Sequence, residues 1–239
     1  MRSALFIPGW GATAALYSPG LPPGWRAAEP PSFRATGGEL DAYRGWLATL
    51  LAREPGPVIL AGHSMGGALA LLAALDNPGR IERLVLLSSA GLPLDKKMRA
   101  SFATFIAQVA RRRYPLSELR TMVAATLRSP GAALRLARTI HDLDLSRELA
   151  SLREHDVPCT VVGCSGDMLT TVEHCRRIAE LLGASYRELD AAGGHIWMIA
   201  EPRRLADELE RATPLAAATE PADANGSYKT TTTKGVGSP

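Results

Sequence analysis

Short apolar runs alternate along the chain with longer segments that have helical character. The predicted strands are residues 4–8, 58–62, 84–88, 160–163 and 186–189, with a further short candidate at 25–28. The first four are continuously apolar, as is typical of strands buried on both faces of a parallel sheet. The helices predicted between and after these strands are 40–51, 65–75, 172–182 and 202–209. This alternation indicates an α/β fold with a doubly wound, mostly parallel sheet.

The alternation stops between residues 92 and 150, where the sequence predicts helices and no strand. The predicted helices are residues 96–112, 116–127, 132–140 and 145–152. Eleven Lys and Arg residues stand against five Asp and Glu, so this segment carries a net charge of about +6. It is predicted to be a helical lid inserted into the sheet domain. Its charge fits either an ordinary solvated surface or a positive field that favours an anionic substrate or an acidic surface.

The predicted domain organisation follows from these segments. Residues 1–91 and 151–212 form the α/β core, residues 92–150 form the lid, and residues 213–239 form a disordered tail. The tail is rich in Ala, Thr, Gly and Pro, and it offers almost nothing that could be buried.

Composition narrows the class of protein. A chain of 239 residues with 46% hydrophobic and 21% charged residues suits a single globular domain. The net charge of +3 is too small to indicate a nucleic-acid partner. The opening segment is too short for a signal peptide, and no run approaches the roughly 18 apolar residues of a membrane span. We therefore expect a cytoplasmic protein without an integral membrane segment.

The three cysteines are expected to be reduced and structural. Cys159, Cys164 and Cys175 are odd in number and have no second Cys/His cluster at zinc spacing. Two of them lie in or beside a predicted buried strand, where a free thiol behaves as a small hydrophobe. The sequence therefore predicts no metal site.

The motif G-H-S-M-G at residues 62–66 carries the clearest chemical signal. It follows a predicted strand and opens a predicted helix, as a nucleophile elbow does. In such an elbow a sharp turn raises a serine hydroxyl, here that of Ser64, and glycines are needed where the turn leaves no room for side chains. Ser64 is therefore the candidate nucleophile.

A nucleophilic serine needs a base, and the base needs an acid that orients it. His63 cannot easily turn back on its neighbour Ser64, whereas His195 follows the last predicted strand on a glycine-rich loop. Asp167 follows the strand at 160–163, where active groups of open α/β sheets gather. Asp95 is the alternative acid, and Asp167 could instead cap the helix that follows it.

Two backbone N–H groups are candidates for stabilising an oxyanion. One is that of Met65, directly after Ser64 at the helix start. The other is that of Trp10, in the glycine-containing loop after the first strand, although this loop could be merely a tight turn with a packing tryptophan.

These motifs resemble those of the α/β-hydrolase superfamily across residues 1 to about 212. The matching segments are residues 6–11, 62–67, 157–167 and 193–195, the last followed by 201–202. The resemblance implies Ser64 as nucleophile, His195 as general base and then acid, Asp167 as its partner, and a lid that shapes the acyl pocket. Pro8 stands where many members have histidine, and the chain starts at the family's third strand. The spacing from residue 163 to Asp167 is one longer than usual, which keeps Asp95 open.

The leading functional hypothesis is a single-domain serine hydrolase that cleaves a small carboxylic ester or thioester through an acyl-enzyme. It needs no cofactor, and its expected partner is a small acyl substrate. A carbon–carbon bond hydrolase or lyase and an acyltransferase are alternatives on the same triad. A non-catalytic ligand-binding protein is the alternative of another class.

Overall fold

We describe a computed structural model of the chain, which covers residues 2–95, 97–111 and 116–213. Its strands are β1 Ser3–Ile7, β2 Trp25–Ala27, β3 Val58–His63, β4 Ile81–Leu87, β5 Cys159–Cys164 and β6 Ser185–Leu189. They form one sheet in the order β2-β1-β3-β4-β5-β6, and every pair of neighbours is parallel. The predicted fold class is confirmed.

Helices connect these strands on both faces of the sheet. They are α1 Ala14–Tyr17, α2 Phe33–Thr36, α3 Leu40–Ala52, α4 Met65–Asp76, α5 Met98–Arg111, α6 Leu116–Arg128, α7 Pro130–His141, α8 Ser146–Leu152, α9 Val172–Leu182, α10 Trp197–Ala200 and α11 Pro202–Ala212. Short 3-10 turns occupy Ser18–Gly20, Pro78–Arg80, Arg153–His155 and Gly194–Ile196. The two layers give the strands two buried faces, which explains their continuously apolar sequences.

Alternate side chains of each central strand enter two different core clusters. In β1, Leu5 and Ile7 pack with α3, α4 and α9, whereas Phe6 packs on the other face with α1, α10 and α11. In β3, Leu60 lies in the same cluster as Leu5 and Ile7, and Ala61 lies in the cluster of Phe6. The sheet is therefore doubly wound.

Strand order creates one crevice at the carboxyl ends of the strands. After β1 the chain moves to β2 on one side, and it then returns to form β3 on the other side of β1. Loops that leave β1 and β3 therefore diverge, and such a switch point is where open α/β sheets bind ligands. The loop with Trp10 and the elbow with Ser64 both begin here.

The differences from the predicted elements lie at strand ends and in short elements. Strand β4 begins three residues early, at Ile81, because half-buried Glu82 and Arg83 interrupt the apolar run without ending the pairing. The candidate strand at 25–28 exists as β2, which pairs with β1. Short helices α1, α2 and α10 were not predicted, since four residues carry too little periodicity to be recognised.

The four helices α5–α8 lie between β4 and β5, as the sequence predicted. Helix α7 packs on α2 and α3, and α8 packs on α4 and α9, with Leu149 and Leu152 in the main core cluster. The division into core and lid stays a prediction, because these packing contacts define no boundary. Lys96 and Arg112, the ends of one predicted helix, and residues 214–239 of the predicted tail lie outside the described residues.

Cys159, Cys164 and Cys175 form no disulfide, and burial raises the pKa of the Cys159 thiol to about 12. Within the described ranges, no helix is long and apolar enough to cross a membrane.

Candidate active site

Ser64 stands on a strained turn between β3 and α4. Its φ of 53° and ψ of −118° lie in a region that non-glycine residues rarely adopt. The turn is held by the Ser64 carbonyl, which accepts N–H bonds from Gly67, Ala68 and Ala90 at 3.0–3.2 Å. The hydroxyl is thereby fixed at the carboxyl end of the sheet, as the elbow motif predicts.

Close backbone packing explains the glycines of the elbow. A Cβ atom on Gly62 would lie 2.3 Å from the Gly66 carbonyl oxygen, and one on Gly66 would lie 2.0 Å from the Ile7 carbonyl oxygen. Real Cβ contacts are never this short, so neither position accepts a side chain. The second contact also brings helix α4 directly against β1 at the switch point.

His195 lies beside Ser64 on a turn that begins with two glycines. Gly193 and Gly194 have φ values of 109° and 57°, which other residues adopt at a cost. The His195 ring is buried, and its Nε2 lies 3.0 Å from Ser64 Oγ. Its Nδ1 lies 2.9 Å from Asp167 Oδ2. The structure therefore brings together the three side chains that the sequence named.

Asp167 is buried in the loop after β5 and accepts several hydrogen bonds. Oδ1 accepts from the backbone N–H groups of Leu169 and Thr170 at 2.8 and 3.0 Å, and Oδ2 accepts from the Thr170 hydroxyl at 2.7 Å. Burial by itself would raise the pKa of Asp167, but the charge of His195 and these hydrogen bonds outweigh it and lower the pKa. Asp167 is thus an ionised partner for His195.

The alternative acid, Asp95, lies on the segment after β4. Its charge raises the pKa of His174 on α9, a smaller influence than the burial that lowers this pKa. Asp167 is the carboxylate that the structure places within hydrogen-bonding distance of His195 Nδ1.

Thr170 is a site residue that the sequence analysis did not identify. Besides contacting Asp167, its Oγ1 lies 3.2 Å from His195 Nδ1 and 3.1 Å from the Ser88 carbonyl oxygen at the end of β4. The signal was its position three residues after an aspartate, where loop aspartates commonly accept local backbone bonds.

His63 and Tyr17 are two further buried residues that the sequence analysis did not place in the site. His63 Nδ1 lies 2.7 Å from the Tyr17 hydroxyl oxygen, and its Nε2 lies 2.9 Å from the His195 carbonyl oxygen. Burial, followed by the charge of His195, lowers the pKa of His63 to about 3. His63 is therefore neutral, and it contacts the backbone of the candidate base rather than Ser64.

The two candidate oxyanion donors lie on either side of the switch point. Met65 is the first residue of α4, where N–H groups have no acceptor within the helix. Trp10 follows Gly9 in the turn after β1, and its indole N–H donates to the Ala133 carbonyl on α7 at 3.2 Å. The tryptophan side chain also packs on Phe33, with ring centroids 5.1 Å apart. The oxyanion role of both N–H groups stays a prediction.

A cavity of about 100 Å³ opens over Ser64 and His195. Apolar side chains from the segment after β4, from α5–α7 and from α10 dominate its walls: Leu94, Met98, Phe105, Met122, Ile140 and Ile199. Among the described residues that line it there is no Lys, Arg, Asp or Glu, and the polar side chains away from the triad include Ser101 and His141. The cavity thus accommodates small apolar groups next to the Ser64 hydroxyl.

In the described part of the chain, no group of three His, Cys, Asp or Glu residues lies close enough together to hold a metal ion. The expectation that the protein needs no cofactor stays a prediction.

Comparison with known proteins gives one sequence relative and many similar folds. The chain is 28% identical, over 188 residues, to a protein of Mycobacterium phage D29 provisionally named a non-heme haloperoxidase; the match spans 70% of this chain and 67% of the relative. An esterase from Exiguobacterium antarcticum has a similar structure, with a TM-score of 0.71, 16% identity and coverage of 88% and 91% of the two chains. An enol-lactonase from Burkholderia xenovorans LB400 has a TM-score of 0.64, 20% identity and coverage of 88% and 89%.

A family model matches nearly the whole described chain. It spans residues 4–208, which include β1, the elbow, the Asp167 loop and the His195 turn. The family is that of the alpha/beta hydrolases. The parallel sheet, the elbow at Ser64 and the match over these residues agree, and the chain belongs to the alpha/beta hydrolase family.

Proposed function

We propose that the protein is a serine hydrolase that cleaves small, uncharged carboxylic esters or thioesters through an acyl-enzyme. The observation that carries this proposal is the continuous series of contacts from Ser64 Oγ through His195 to Asp167, at 3.0 and 2.9 Å. Family membership supports hydrolase chemistry, and the apolar cavity supports the choice of substrate.

The contacts support one path for the protons in the first half of the reaction. Ser64 Oγ attacks the substrate carbonyl carbon while its proton passes to His195 Nε2. Ionised Asp167 stabilises the resulting imidazolium through Nδ1–H. The N–H groups of Met65 and Trp10 are proposed to stabilise the oxyanion. Collapse of the tetrahedral intermediate breaks the C–O or C–S bond, and the leaving group takes the proton from His195.

Water completes the cycle at the acyl-enzyme. It gives a proton to His195 Nε2 as its oxygen attacks the ester carbonyl of acylated Ser64. The second intermediate releases the carboxylic acid, and the proton returns to Ser64 Oγ. Atoms balance without a cofactor, because water supplies both the hydroxyl of the acid and the proton of the alcohol or thiol.

The lining of the cavity favours a neutral substrate over an anionic one. The basic residues of 92–150 suggested an anionic substrate as one interpretation. The described cavity walls carry no Lys or Arg, so a carboxylate or phosphate there would be desolvated without either cation to offset its charge. We propose that the acyl group is short and neutral.

Covalent labelling tests the proposal directly. A fluorophosphonate probe should modify Ser64, and Ser64→Ala should reduce hydrolysis of p-nitrophenyl butyrate by roughly a thousandfold or more. The control is Ser151→Ala, which removes an exposed hydroxyl on α8 and should leave the rate unchanged. In the same assay a neutral butyrate ester should outperform the anionic hemisuccinate ester. An adduct elsewhere, or activity in the Ser64→Ala variant, would contradict the proposal.

Acyl transfer to an acceptor other than water is the second candidate. The name of the phage relative favours it, because hydrogen peroxide attacking acylated Ser64 would yield a peracid, an oxidant of halides. Adding peroxide to the ester assay separates the two candidates. A hydrolase gives only the free acid, and an acyltransferase of this kind gives peracid that depends on Ser64.

A further inference from the structure

We propose that His63 and Tyr17 are positioning residues that fix the backbone of His195 relative to Ser64. The inference rests on the proposed function, because it assigns these two residues to the geometry of that site. Neither residue touches the reacting atoms in the proposed mechanism. They act through hydrogen bonds to the backbone that carries the base.

The protonation state of His63 follows from its partners. The His195 carbonyl oxygen, 2.9 Å from Nε2, can only accept a hydrogen bond, so Nε2 must carry a proton. The ring is neutral, which leaves Nδ1 with a lone pair. The Tyr17 hydroxyl, 2.7 Å away, must then donate to Nδ1. In this arrangement the His195 carbonyl selects the tautomer of His63, since the hydrogen bond at one ring nitrogen decides which nitrogen is protonated, and Tyr17 supports that tautomer by donating to Nδ1.

The same contacts link three loops at the carboxyl end of the sheet. Tyr17 contacts the backbone N–H of Gly9 after β1, at a longer distance of 3.4 Å. His63 is joined through the chain to Ser64, and its ring bonds to the backbone of His195. The loop of the candidate oxyanion donor, the nucleophile elbow and the base turn are therefore held by one buried hydrogen-bond series.

The base turn is the part that needs such support. It starts at Gly193 and Gly194, whose freedom of rotation allows the turn to form but does little to fix it. The side chain of His195 is held through Nδ1 by Asp167, and the bond from His63 adds a restraint on its main chain. Because proton transfer depends steeply on the geometry of the reacting atoms, a shift of about 1 Å at Nε2 could cost a hundredfold in rate.

Neutrality of His63 also suits the proposed reaction. The rings of His63 and His195 have centroids only 4.8 Å apart. When His195 accepts the Ser64 proton, a charged His63 would oppose it, whereas the neutral tautomer opposes it far less. The contact therefore positions the base without working against its protonation.

Tyr17→Phe is the sharpest test because it removes only the hydroxyl that donates to His63 Nδ1. We expect kcat for p-nitrophenyl butyrate to fall about 10- to 100-fold while KM changes less than threefold. Tyr43→Phe is the matched control. It removes another buried tyrosine hydroxyl, on α3, and should leave both constants unchanged.

Nitrogen-15 NMR of histidine-labelled protein supplies a readout that a merely structural role would not move. His63, assigned through His63→Gln, should have a protonated Nε2 and an unprotonated Nδ1, and Tyr17→Phe should shift the Nδ1 resonance, because that nitrogen loses its hydrogen-bond donor. Unchanged kcat in Tyr17→Phe, or a protonated Nδ1 in the unaltered chain, would overturn the inference. These results leave the proposed function intact, whereas full activity in Ser64→Ala would refute that function and leave the tautomer measurement valid.

Discussion

At the level of single residues, Thr170 joins three parts of the candidate site. One hydroxyl contacts the Asp167 carboxylate, the His195 ring and the carbonyl of Ser88 at the end of β4. Its proton stabilises the ionised form of Asp167, which is the form that the proposed mechanism requires. Thr170 is therefore a support for the acid as well as a link between β4 and the loop after β5.

Thr170→Val keeps the shape of the side chain and removes this hydroxyl. We expect the free energy of unfolding to fall by about 1.5–3 kcal/mol, since a hydrogen bond to a buried charge is lost. We also expect kcat/KM to fall about tenfold, which corresponds to about 1.4 kcal/mol. Urea unfolding and ester hydrolysis measure the two effects.

Thr49→Val is the control for this substitution. Thr49 is exposed on α3, and its hydroxyl bonds only the Gly45 carbonyl among the contacts described, so stability should change by about 0.5 kcal/mol or less. Equal losses in the two variants would show that the contacts of Thr170 carry no special weight.

The sequence was sufficient to predict some of these residues and not others. Ser64 was predicted from its motif, and Asp167 and His195 were predicted from their order after successive strands. Tyr17 and His63 were not assigned their contacts, because a hydrogen bond between side chains 46 positions apart depends on how α1 packs against β3. No local pattern around Tyr17 encodes that contact.

At the level of elements, the approach of α4 to the sheet dictates the glycines of the elbow. Buried strands β1, β3 and β5 were predicted within a residue or two because their apolar runs are continuous. The start of β4 was missed, since charged residues at the rim of a sheet still pair through their backbones. The spacing of apolar residues along the sequence reflects burial. This signal is weak where an element is short or partly exposed, so such elements are harder to predict.

Gly66→Ala and Gly45→Ala test this account with the same chemical change. A methyl group at Gly66 would meet the Ile7 carbonyl oxygen at 2.0 Å, so α4 must shift, and we expect a loss of about 3 kcal/mol or more, or failure to fold. Gly45 lies on α3 with open space around it, and alanine there should stabilise the chain by about 0.5–1 kcal/mol. Thermal unfolding measures both changes, and equal stability of the two variants would contradict the close contact between Gly66 and β1.

At the level of the whole molecule, buried His63 and half-buried His174 affect stability in acid. Burial lowers the pKa of His63 to about 3 and also lowers that of His174. Below their ordinary pKa of 6.5, these side chains take up protons in the unfolded chain and resist protonation in the folded one. The unfolded state then binds more protons, so the free energy of unfolding must fall as the pH falls.

Urea unfolding between pH 6.5 and pH 4 checks this expectation. Each such histidine contributes a slope of at most about 1.4 kcal/mol per pH unit. His63→Gln should flatten the dependence by up to that amount. His155→Gln, which removes an exposed imidazole, should keep the slope of the unaltered chain. The same slope in both variants would count against a buried, neutral His63.

The topology of the sheet decides where all of this chemistry lies. Because β2 and β3 flank β1, the loops that carry Trp10 and Ser64 diverge over the same crevice, and the turns after β5 and β6 bring Asp167 and His195 to it. Alternating strands and helices predicted a doubly wound parallel sheet, and the strand order within it came from the structure. The shape of the cavity could not be predicted, because it depends on how α5–α7 pack over the crevice.

The bond from the Trp10 indole to the Ala133 carbonyl makes this tryptophan an optical reporter. Any displacement of α7 from the β1 loop must break that bond and expose the indole to water, which shifts tryptophan emission to longer wavelength. Subtracting the emission of a Trp10→Phe variant isolates this one signal from those of the other tryptophans. Movement of α7 relative to the β1 loop could then be followed in real time, without attaching a dye.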